Sequence, residues 1–226
     1  MPEVIITEEV KFDVAGKQTT GYLARPENPG PHPSVVVIQE WYGIDPHIKD
    51  VTERFARLGF ATIAPDLYHG RVGTTPAEGM QLVQSLDFEK AGKEIDIAAD
   101  WLGAQSFTRE SRFGIVGYCL GGGLALTTAI RNPNVAASVV YYGGLPDRLE
   151  NLREIRCPIL GLYGDDEADR AGKLLDLLTQ YQKPGEVHVY DGARHGFFND
   201  TGVVYNPAAA YDTWPRVIEL FKRHLA

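Results

Sequence analysis

The N-terminal part of the chain alternates between apolar and polar side chains in two short runs. The alternation covers residues 8–14 and 17–24, and Ala15-Gly16 between them is a turn signal. A period of two is typical of strands, so the pattern predicts an antiparallel hairpin. Residues 26–33 contain four prolines and one glycine, and they predict a loop after the hairpin.

Beyond residue 34 the apolar residues gather into short continuous runs, which predict strands buried on both faces. These runs lie at 35–39, 60–65, 112–117, 135–142, 158–163 and 186–190. Apolar residues at helical spacing predict helices between the strands. The helices are expected at 47–58, 76–85, 89–102, 120–130, 169–182 and 207–224, with Asp169 as an N-cap.

Eight predicted strands, a hairpin followed by alternating strands and helices, indicate an α/β protein. We expect a mostly parallel eight-stranded sheet flanked by helices on both faces. The length of 226 residues suits one domain, so residues 1–226 are assigned to a single domain. In such sheets ligands bind at the carboxyl ends of the strands, so the residues that follow each strand are the functional candidates.

Composition narrows the possible partners and the compartment. The chain is 44% hydrophobic, enough for a sizeable core, and its net charge of −8 argues against binding nucleic acid. No apolar stretch is long enough to span a membrane, and the N-terminal residues do not resemble a signal peptide. Two cysteines, Cys119 and Cys157, are too few for a disulfide framework. We therefore expect a cytoplasmic protein with reduced thiols, as a monomer or weak dimer.

A candidate nucleophile lies where the strand at 112–117 meets the next helix. The sequence there is Gly117-Tyr118-Cys119-Leu120-Gly121, which is the G-x-S-x-G pattern with cysteine in place of serine. Flanking glycines permit a sharp turn, and the positive end of the helix favours a thiolate and can stabilise an oxyanion. The alternatives are a buried structural cysteine or a phosphate-binding loop, but the Walker lysine is missing.

A candidate base and several candidate acids follow in the chain order nucleophile, acid, histidine. His195 lies after the last strand between Gly192 and Gly196, although a plain surface histidine would fit the same pattern. The acid is expected after the strand at 158–163, where four carboxylates lie within five residues: Asp165, Asp166, Glu167 and Asp169. The residues alone leave this choice open. His69, in a loop after a strand, could also line the pocket.

Four segments together resemble the dienelactone hydrolase (carboxymethylenebutenolidase) family over nearly the whole chain. They are Gln39-Glu40-Trp41-Tyr42-Gly43, Pro65-Asp66-Leu67-Tyr68, the Cys119 turn with Gly122, and Gly192-Ala193-Arg194-His195-Gly196-Phe197. The resemblance implies an α/β-hydrolase fold and a triad of Cys119, His195 and an acid. The position of the acid corresponds to Glu167, and a shift of one residue would select Asp166.

The resemblance also implies roles for residues after the third strand. Glu40 would hold the resting thiol until substrate displaces it, although a solvated loop glutamate is the alternative. The backbone N–H groups of Trp41 and Leu120 would form the oxyanion hole. Substrate would contact residues beside the site, for which we name Tyr42, Tyr68, Arg71 and Phe197.

One departure from the family concerns substrate charge. Members that act on dienelactone bind its carboxylate with two arginines, one in the helix after the fourth strand and one four residues after the catalytic histidine. Here residues 76–85 contain no arginine and Asn199 holds the second position, while Arg71 and Arg194 lie nearby in sequence. Without this charge-assisted clamp, we expect dienelactone to be a poor substrate for this chain.

We therefore expect a cysteine hydrolase that cleaves small-molecule esters or lactones through an acyl-enzyme, with broad short-chain or aryl ester specificity. A true dienelactone hydrolase is the alternative. Two less favoured classes are a thiol redox protein, which would need Cys157 as resolving cysteine, and a non-catalytic binding protein on the same fold. No metal or cofactor is expected, because the sequence has no Cys/His ligand cluster.

Overall fold

The computed structural model of the chain describes residues 4–14 and 16–225. Within them the strands are β1 (Ile5–Val14), β2 (Lys17–Pro26), β3 (His32–Ile38), β4 (Ala61–Pro65), β5 (Thr108–Tyr118), β6 (Val135–Tyr141), β7 (Ile159–Gly164) and β8 (Gly185–Tyr190). The α-helices are α1 (Pro46–Ala56), α2 (Pro76–Ser85), α3 (Phe88–Gly103), α4 (Leu120–Arg131), α5 (Ala168–Gln180) and α6 (Pro207–His224). Two short 3-10 helices cover Leu149–Glu154 and Asp165–Glu167.

The strands form one sheet in the order β1-β2-β4-β3-β5-β6-β7-β8. The hairpin β1–β2 is antiparallel, and β2 also pairs with β4 in the antiparallel sense. The pairs β3–β4, β6–β7 and β7–β8 are parallel. The prediction of a mostly parallel eight-stranded sheet with flanking helices is therefore confirmed. The predicted turn at Ala15-Gly16 includes Ala15, which lies outside the described residues.

The chain divides into two compact units, residues 1–113 and 114–226, and the boundary falls within β5. In the first unit β3 and β4 are enclosed, and α1 buries Ile48, Val51 and Phe55 among its apolar residues. In the second unit β6 and β7 are buried throughout, and α6 buries Val217 and Phe221. The assignment of the whole chain to a single domain stays a prediction.

Most predicted elements are present, and the differences are at their ends. The predicted bounds of α2 and α6 agree with the structure. The prediction of Asp169 as the N-cap of α5 is wrong: the 3-10 turn runs directly into the helix, so Glu167 is the N-cap. The predicted loop at 26–33 is shorter, because β3 already begins at His32. The 3-10 helix Leu149–Glu154 has no periodic signal that would predict it.

Candidate active site

Cys119 sits at a strained turn between β5 and α4. Its φ is 55° and its ψ is −114°, a conformation that non-glycine residues rarely adopt. Its backbone N–H donates to the Tyr141 carbonyl at 3.0 Å, which fixes the turn against β6. A side chain at position 117 would place its Cβ only 1.9 Å from the Gly121 carbonyl oxygen. The turn therefore requires the glycine, and it presents the thiol at the N-terminus of α4.

Residues at the end of β6 pack closely against the start of α4, next to the Cys119 turn. A Cβ at Gly122 would lie 2.7 Å from the Tyr141 carbonyl oxygen and 2.8 Å from the Gly143 Cα, so helix and strand approach closely. Tyr142, the first residue after β6, has a positive φ of 39° and is almost fully buried. The Tyr142 amide donates to the Leu162 carbonyl at 2.8 Å, which joins this residue to β7.

His195 lies on the turn after β8 and faces Cys119. The centroid of its ring is 5.0 Å from that of Tyr142, so a buried aromatic side chain supports the imidazole. Hydrogen bonds with the Cys119 side chain and then with Glu167 raise the pKa of His195 to about 10, while partial burial opposes the shift. These two hydrogen bonds therefore favour the imidazolium form of His195.

Glu167 provides the acceptor for the other nitrogen of this ring. Its Oε1 lies 3.1 Å from His195 Nδ1, and its side chain is only 6% exposed. The guanidinium of Arg170 donates to the same oxygen. Glu167 is also the N-cap of α5, so the start of this helix fixes the position of its side chain.

The neighbouring acids hold the backbone of the histidine turn instead. Asp166 accepts hydrogen bonds from the His195 N–H at 3.0 and 3.3 Å, and Asp165 accepts from the Gly192 N–H at 2.9 Å. Asp169 lies in the first turn of α5. Among the four candidate acids, Glu167 is thus the one whose carboxylate contacts the His195 ring in the described residues.

The candidates of the first unit follow β3 and β4. Because these two strands are parallel neighbours, the residues after them lie at one edge of the sheet. Glu40 is 5% exposed, and the rings of Trp41 and Tyr42 pack with centroids 4.8 Å apart. Arg71 is exposed, and its Nε donates to the Tyr68 carbonyl at 3.2 Å.

Two residues predicted to contact substrate are placed differently. Tyr68 and Phe197 are both fully buried, so neither offers a surface that a ligand could touch, and these predictions are corrected. Phe197 packs behind the histidine turn, with ring centroids 5.4 Å from Tyr142 and 5.6 Å from Tyr190. The aromatic residue that follows His195 in sequence therefore supports the turn.

Two residues that contact this constellation are not predicted from the sequence. Tyr142 gives no local signal, because its proximity to His195 depends on how β6 and β8 are arranged. Arg170 follows Glu167 by three residues on a predicted helix, and this spacing could have identified it as an ion-pair partner. His69, a predicted pocket residue, is held by Thr19 and Glu94 at 3.3 and 3.4 Å.

Other parts of the described chain add three observations. Cys119 and Cys157 are both free thiols, and Cys157 is buried. Residues 4–14 and 16–225 contain no group of three or more His, Cys, Asp or Glu side chains placed to hold a metal ion. None of the described helices combines the length and the apolar character required to cross a bilayer.

The sequence profile of the dienelactone hydrolase family matches residues 19–225 of this chain. The chain belongs to the dienelactone hydrolase family. The family name and the lactonase name of a relative both denote carboxylic ester hydrolases, and the prediction of an ester hydrolase is confirmed. The family match extends over both compact units.

Relatives match along almost their full length. A protein of Saccharolobus solfataricus, named provisionally as a carboxymethylenebutenolidase, is 33% identical, with 96% of this chain and 98% of that protein covered. A Bradyrhizobium protein named as a probable 2-oxo-3-(5-oxofuran-2-ylidene)propanoate lactonase is 32% identical, with 99% and 96% covered. A crystal structure from Klebsiella pneumoniae, named provisionally as a dienelactone hydrolase, has a TM-score of 0.90 at 30% identity and covers 98% of this chain and 100% of that one. The α/β-hydrolase fold is therefore confirmed.

Proposed function

We propose that this dienelactone hydrolase family member cleaves uncharged short-chain or aryl carboxylic esters through a thioester on Cys119. One observation carries the proposal: the side chains of Cys119 and Glu167 both hydrogen-bond the imidazole of His195. Nucleophile, base and acid then form one continuous chain of polar contacts, which is the arrangement that acyl transfer requires. All three residues belong to the second compact unit.

In the first half of the reaction the Cys119 thiolate attacks the ester carbonyl carbon. The negative charge moves to the carbonyl oxygen, where the Leu120 N–H at the first turn of α4 can donate to it. When the tetrahedral intermediate collapses, the imidazolium of His195 gives its proton to the departing alkoxide. The products are a free alcohol and a thioester on Cys119.

In the second half His195 acts as a base. Acylation removes the hydrogen bond between Cys119 and His195, which is the largest cause of the raised pKa of His195, so the imidazole is then neutral more readily. It takes a proton from a water molecule that attacks the thioester carbonyl. Collapse of the second intermediate releases the carboxylic acid and regenerates Cys119. Glu167 keeps the ring oriented throughout and stabilises its charged form.

The roles expected for residues of the first unit stay predictions. They are the thiol-holding role of Glu40, the oxyanion contact of the Trp41 amide, and substrate contacts by Tyr42 and Arg71. Burial of Glu40 is consistent with a functional carboxylate, because ionised glutamates are rarely enclosed without a specific reason.

The acyl-enzyme provides the direct test. We expect p-nitrophenyl acetate to add one acetyl group to the intact protein, detectable by mass spectrometry after rapid acid quenching. His195→Gln should accumulate this species, because deacylation loses its base, while Cys119→Ala should not form it. Cys157→Ala is the matched control and should behave like the unaltered chain, since Cys157 is buried in the core. An acetyl group on any other residue, with Cys119→Ala still active, would refute the proposal.

A further inference from the structure

Arg170 and His195 share a single acceptor atom. Arg170 Nη1 and His195 Nδ1 both donate to Glu167 Oε1, with 3.1 Å between the imidazole nitrogen and this oxygen. Arg170 lies three residues after Glu167, one turn into α5, so the helix itself brings the guanidinium to the carboxylate. The catalytic constellation therefore extends to a fourth residue.

The contact between Arg170 and Glu167 differs from a surface ion pair because the carboxylate is buried. The Glu167 side chain is 6% exposed, and its second oxygen, Oε2, is buried and accepts no hydrogen bond within the described part of the chain. Oε1 therefore makes the hydrogen bonds of this carboxylate, and Arg170 is the donor whose charge is permanent. Without Arg170, the His195 ring would be the side-chain donor that remains to this carboxylate among the described residues.

We propose that Arg170 is a positioning residue of this hydrolase: it holds Glu167 Oε1 at His195 Nδ1 and limits how strongly the carboxylate stabilises the imidazolium. The proposal rests on the function proposed above. A carboxylate that is paired with a guanidinium stabilises the imidazolium less than an unpaired carboxylate does. His195 then gives up its proton more easily after acylation, when it must be neutral to activate water.

The direction of the effect follows from the charges around the ring. Removing the Arg170 charge leaves Glu167 free to stabilise the imidazolium, so the pKa of His195 in the acyl-enzyme should rise. Among the described residues, the other charged or titratable groups beside this turn and the start of α5 are Cys119, the carboxylates of Asp165, Asp166 and Asp169, the guanidinium of Arg194 near Asp166, and the buried phenol of Tyr163. None of them is altered by substituting Arg170, which keeps its own charge over the whole accessible pH range.

The test is the pH profile of deacylation in Arg170→Gln, measured with p-nitrophenyl acetate from pH 5 to 9. The acid limb is the low-pH part of the kcat profile, where activity rises as His195 loses its proton. We expect this acid limb to move to higher pH by about 0.5 to 1 pH unit, the size that a nearby charge produces at a partly exposed site. Activity below the limb should fall about three- to tenfold, because one pH unit corresponds to a factor of ten in the neutral base. Arg170→Lys keeps the charge, so its acid limb should lie close to that of the unaltered chain.

Arg216→Gln is the matched control. Arg216 pairs with Asp212 on α6, and its side chain is 42% exposed, as is that of Arg170. Losing this pair should leave the acid limb where it is. The shift in Arg170→Gln must also occur with little change in KM, because Arg170 is assigned no contact with substrate.

Failure of this inference can be told apart from failure of the proposed function. If Glu167→Gln is inactive and Arg170→Gln has an unchanged acid limb and kcat, Arg170 is an ordinary ion pair and the inference is overturned. If Glu167→Gln keeps full activity, the triad itself is wrong. Should Arg170→Gln unfold at the assay temperature, as seen by circular dichroism, Arg170→Met carries the same test at lower temperature with the same expected shift.

Discussion

Asp166 accepts a hydrogen bond from the backbone amide of His195, with 3.0 Å between Oδ1 and N. The imidazole of the same histidine is held by the adjacent residue, Glu167, at 3.1 Å. Two consecutive carboxylates thus act on different parts of one residue. Asp166 fixes where the turn lies, and Glu167 fixes how the ring is oriented.

This division predicts unequal effects of two isosteric substitutions. Glu167→Gln should lower kcat by about 10³- to 10⁴-fold, the loss typical of replacing a triad acid by its amide. Asp166→Asn retains a carbonyl oxygen that can accept from the His195 N–H, so it should lose only a few-fold in activity. Steady-state kinetics with p-nitrophenyl butyrate measures both. Small and equal losses would mean that the acid lies elsewhere.

The geometry at Cys119 predicts the behaviour of two nucleophile variants. Cys119→Ala should abolish ester hydrolysis while the variant still folds, as seen by circular dichroism, because only the Sγ atom is removed. Cys119→Ser should keep a low residual rate, since the strained turn presents a hydroxyl equally well but hydroxyls ionise less readily than thiols. Ordinary turnover by the alanine variant would rule out the nucleophile assignment.

The raised pKa of His195 predicts a pH-dependent contribution to stability. Hydrogen bonds with Cys119 and Glu167 raise this pKa from 6.5 to about 10 in the folded protein. A group with a higher pKa in the folded state stabilises the fold fully below its unfolded pKa, and the contribution is lost as pH rises through the folded pKa. The stabilisation is thus present at pH 6 and disappears toward pH 10.

We therefore expect His195→Gln to lower Tm at pH 6 and the difference from the unaltered chain to shrink as pH approaches 10. Differential scanning calorimetry between pH 5.5 and 10.5 measures this. His188→Gln is the control, because His188 contacts an exposed carboxylate, that of Glu186, at 3.2 Å. A Tm difference that stays constant over this pH range would contradict the expectation.

Two glycines predict opposite effects of the same substitution. A Cβ at Gly117 would overlap the backbone of Gly121, so Gly117→Ala should destabilise the fold by about 3 kcal/mol or more and abolish activity. Gly172 lies within α5, and a methyl group added there would meet no atom within 4 Å, so Gly172→Ala should stabilise by about 0.5–1 kcal/mol. Urea unfolding monitored by fluorescence measures both, and a tolerated Gly117→Ala would contradict the close approach at this turn.

The features that could be predicted from the sequence are those encoded by residues close together in the chain. The Cys119 turn is encoded by a strand, two glycines and a helix within a few residues, and each of these has its own signal. The strands of the sheet are continuous apolar runs, and α2 and α6 begin at prolines preceded by capping residues, Thr75 and Asn206. These features depend on residues close together in the chain.

Tertiary packing decides the rest. The choice among four acids depends on which side of a 3-10 turn faces the imidazole, and no spacing rule encodes that. Tyr68 and Phe197 are predicted to contact substrate because they adjoin candidate residues in sequence, yet both rings turn inward and are fully buried. Tyr142 contacts His195 from the end of a strand more than fifty positions earlier in the chain, so only the fold brings them together.

The present partners of Asn199, Arg71 and Arg194 predict a preference for uncharged substrates. Asn199 holds a position at which the resemblance described above implies an arginine, and its Oδ1 accepts a hydrogen bond from the Thr201 N–H at 3.0 Å. Arg71 is bound to the Tyr68 carbonyl and to Ser85, and Arg194 lies 3.9 Å from Asp166. Each arginine would have to leave an existing partner before it could bind a substrate carboxylate.

We expect kcat/KM to be higher for p-nitrophenyl acetate or butyrate than for cis- or trans-dienelactone. A carboxylate that enters without a fixed cation loses hydration and gains no charge-assisted hydrogen bond, and each such bond is worth about 1.5–3 kcal/mol. The net charge of −8 opposes an anion further, although only weakly at physiological salt. Dienelactone and its methyl ester form the sharper comparison, because lactone opening is followed in both and only the charge differs.

If the methyl ester reacts faster than the free acid by about tenfold or more, the pocket lacks a clamp. A clear preference for the free acid would contradict this and would mean that another cation takes the place of the missing arginine. Arg71→Ala and Arg194→Ala then identify it, because only the residue that binds the carboxylate would reverse the preference between acid and ester. Loss of activity toward both substrates alike would instead indicate a structural role, since a clamp acts only on the charged member of the pair.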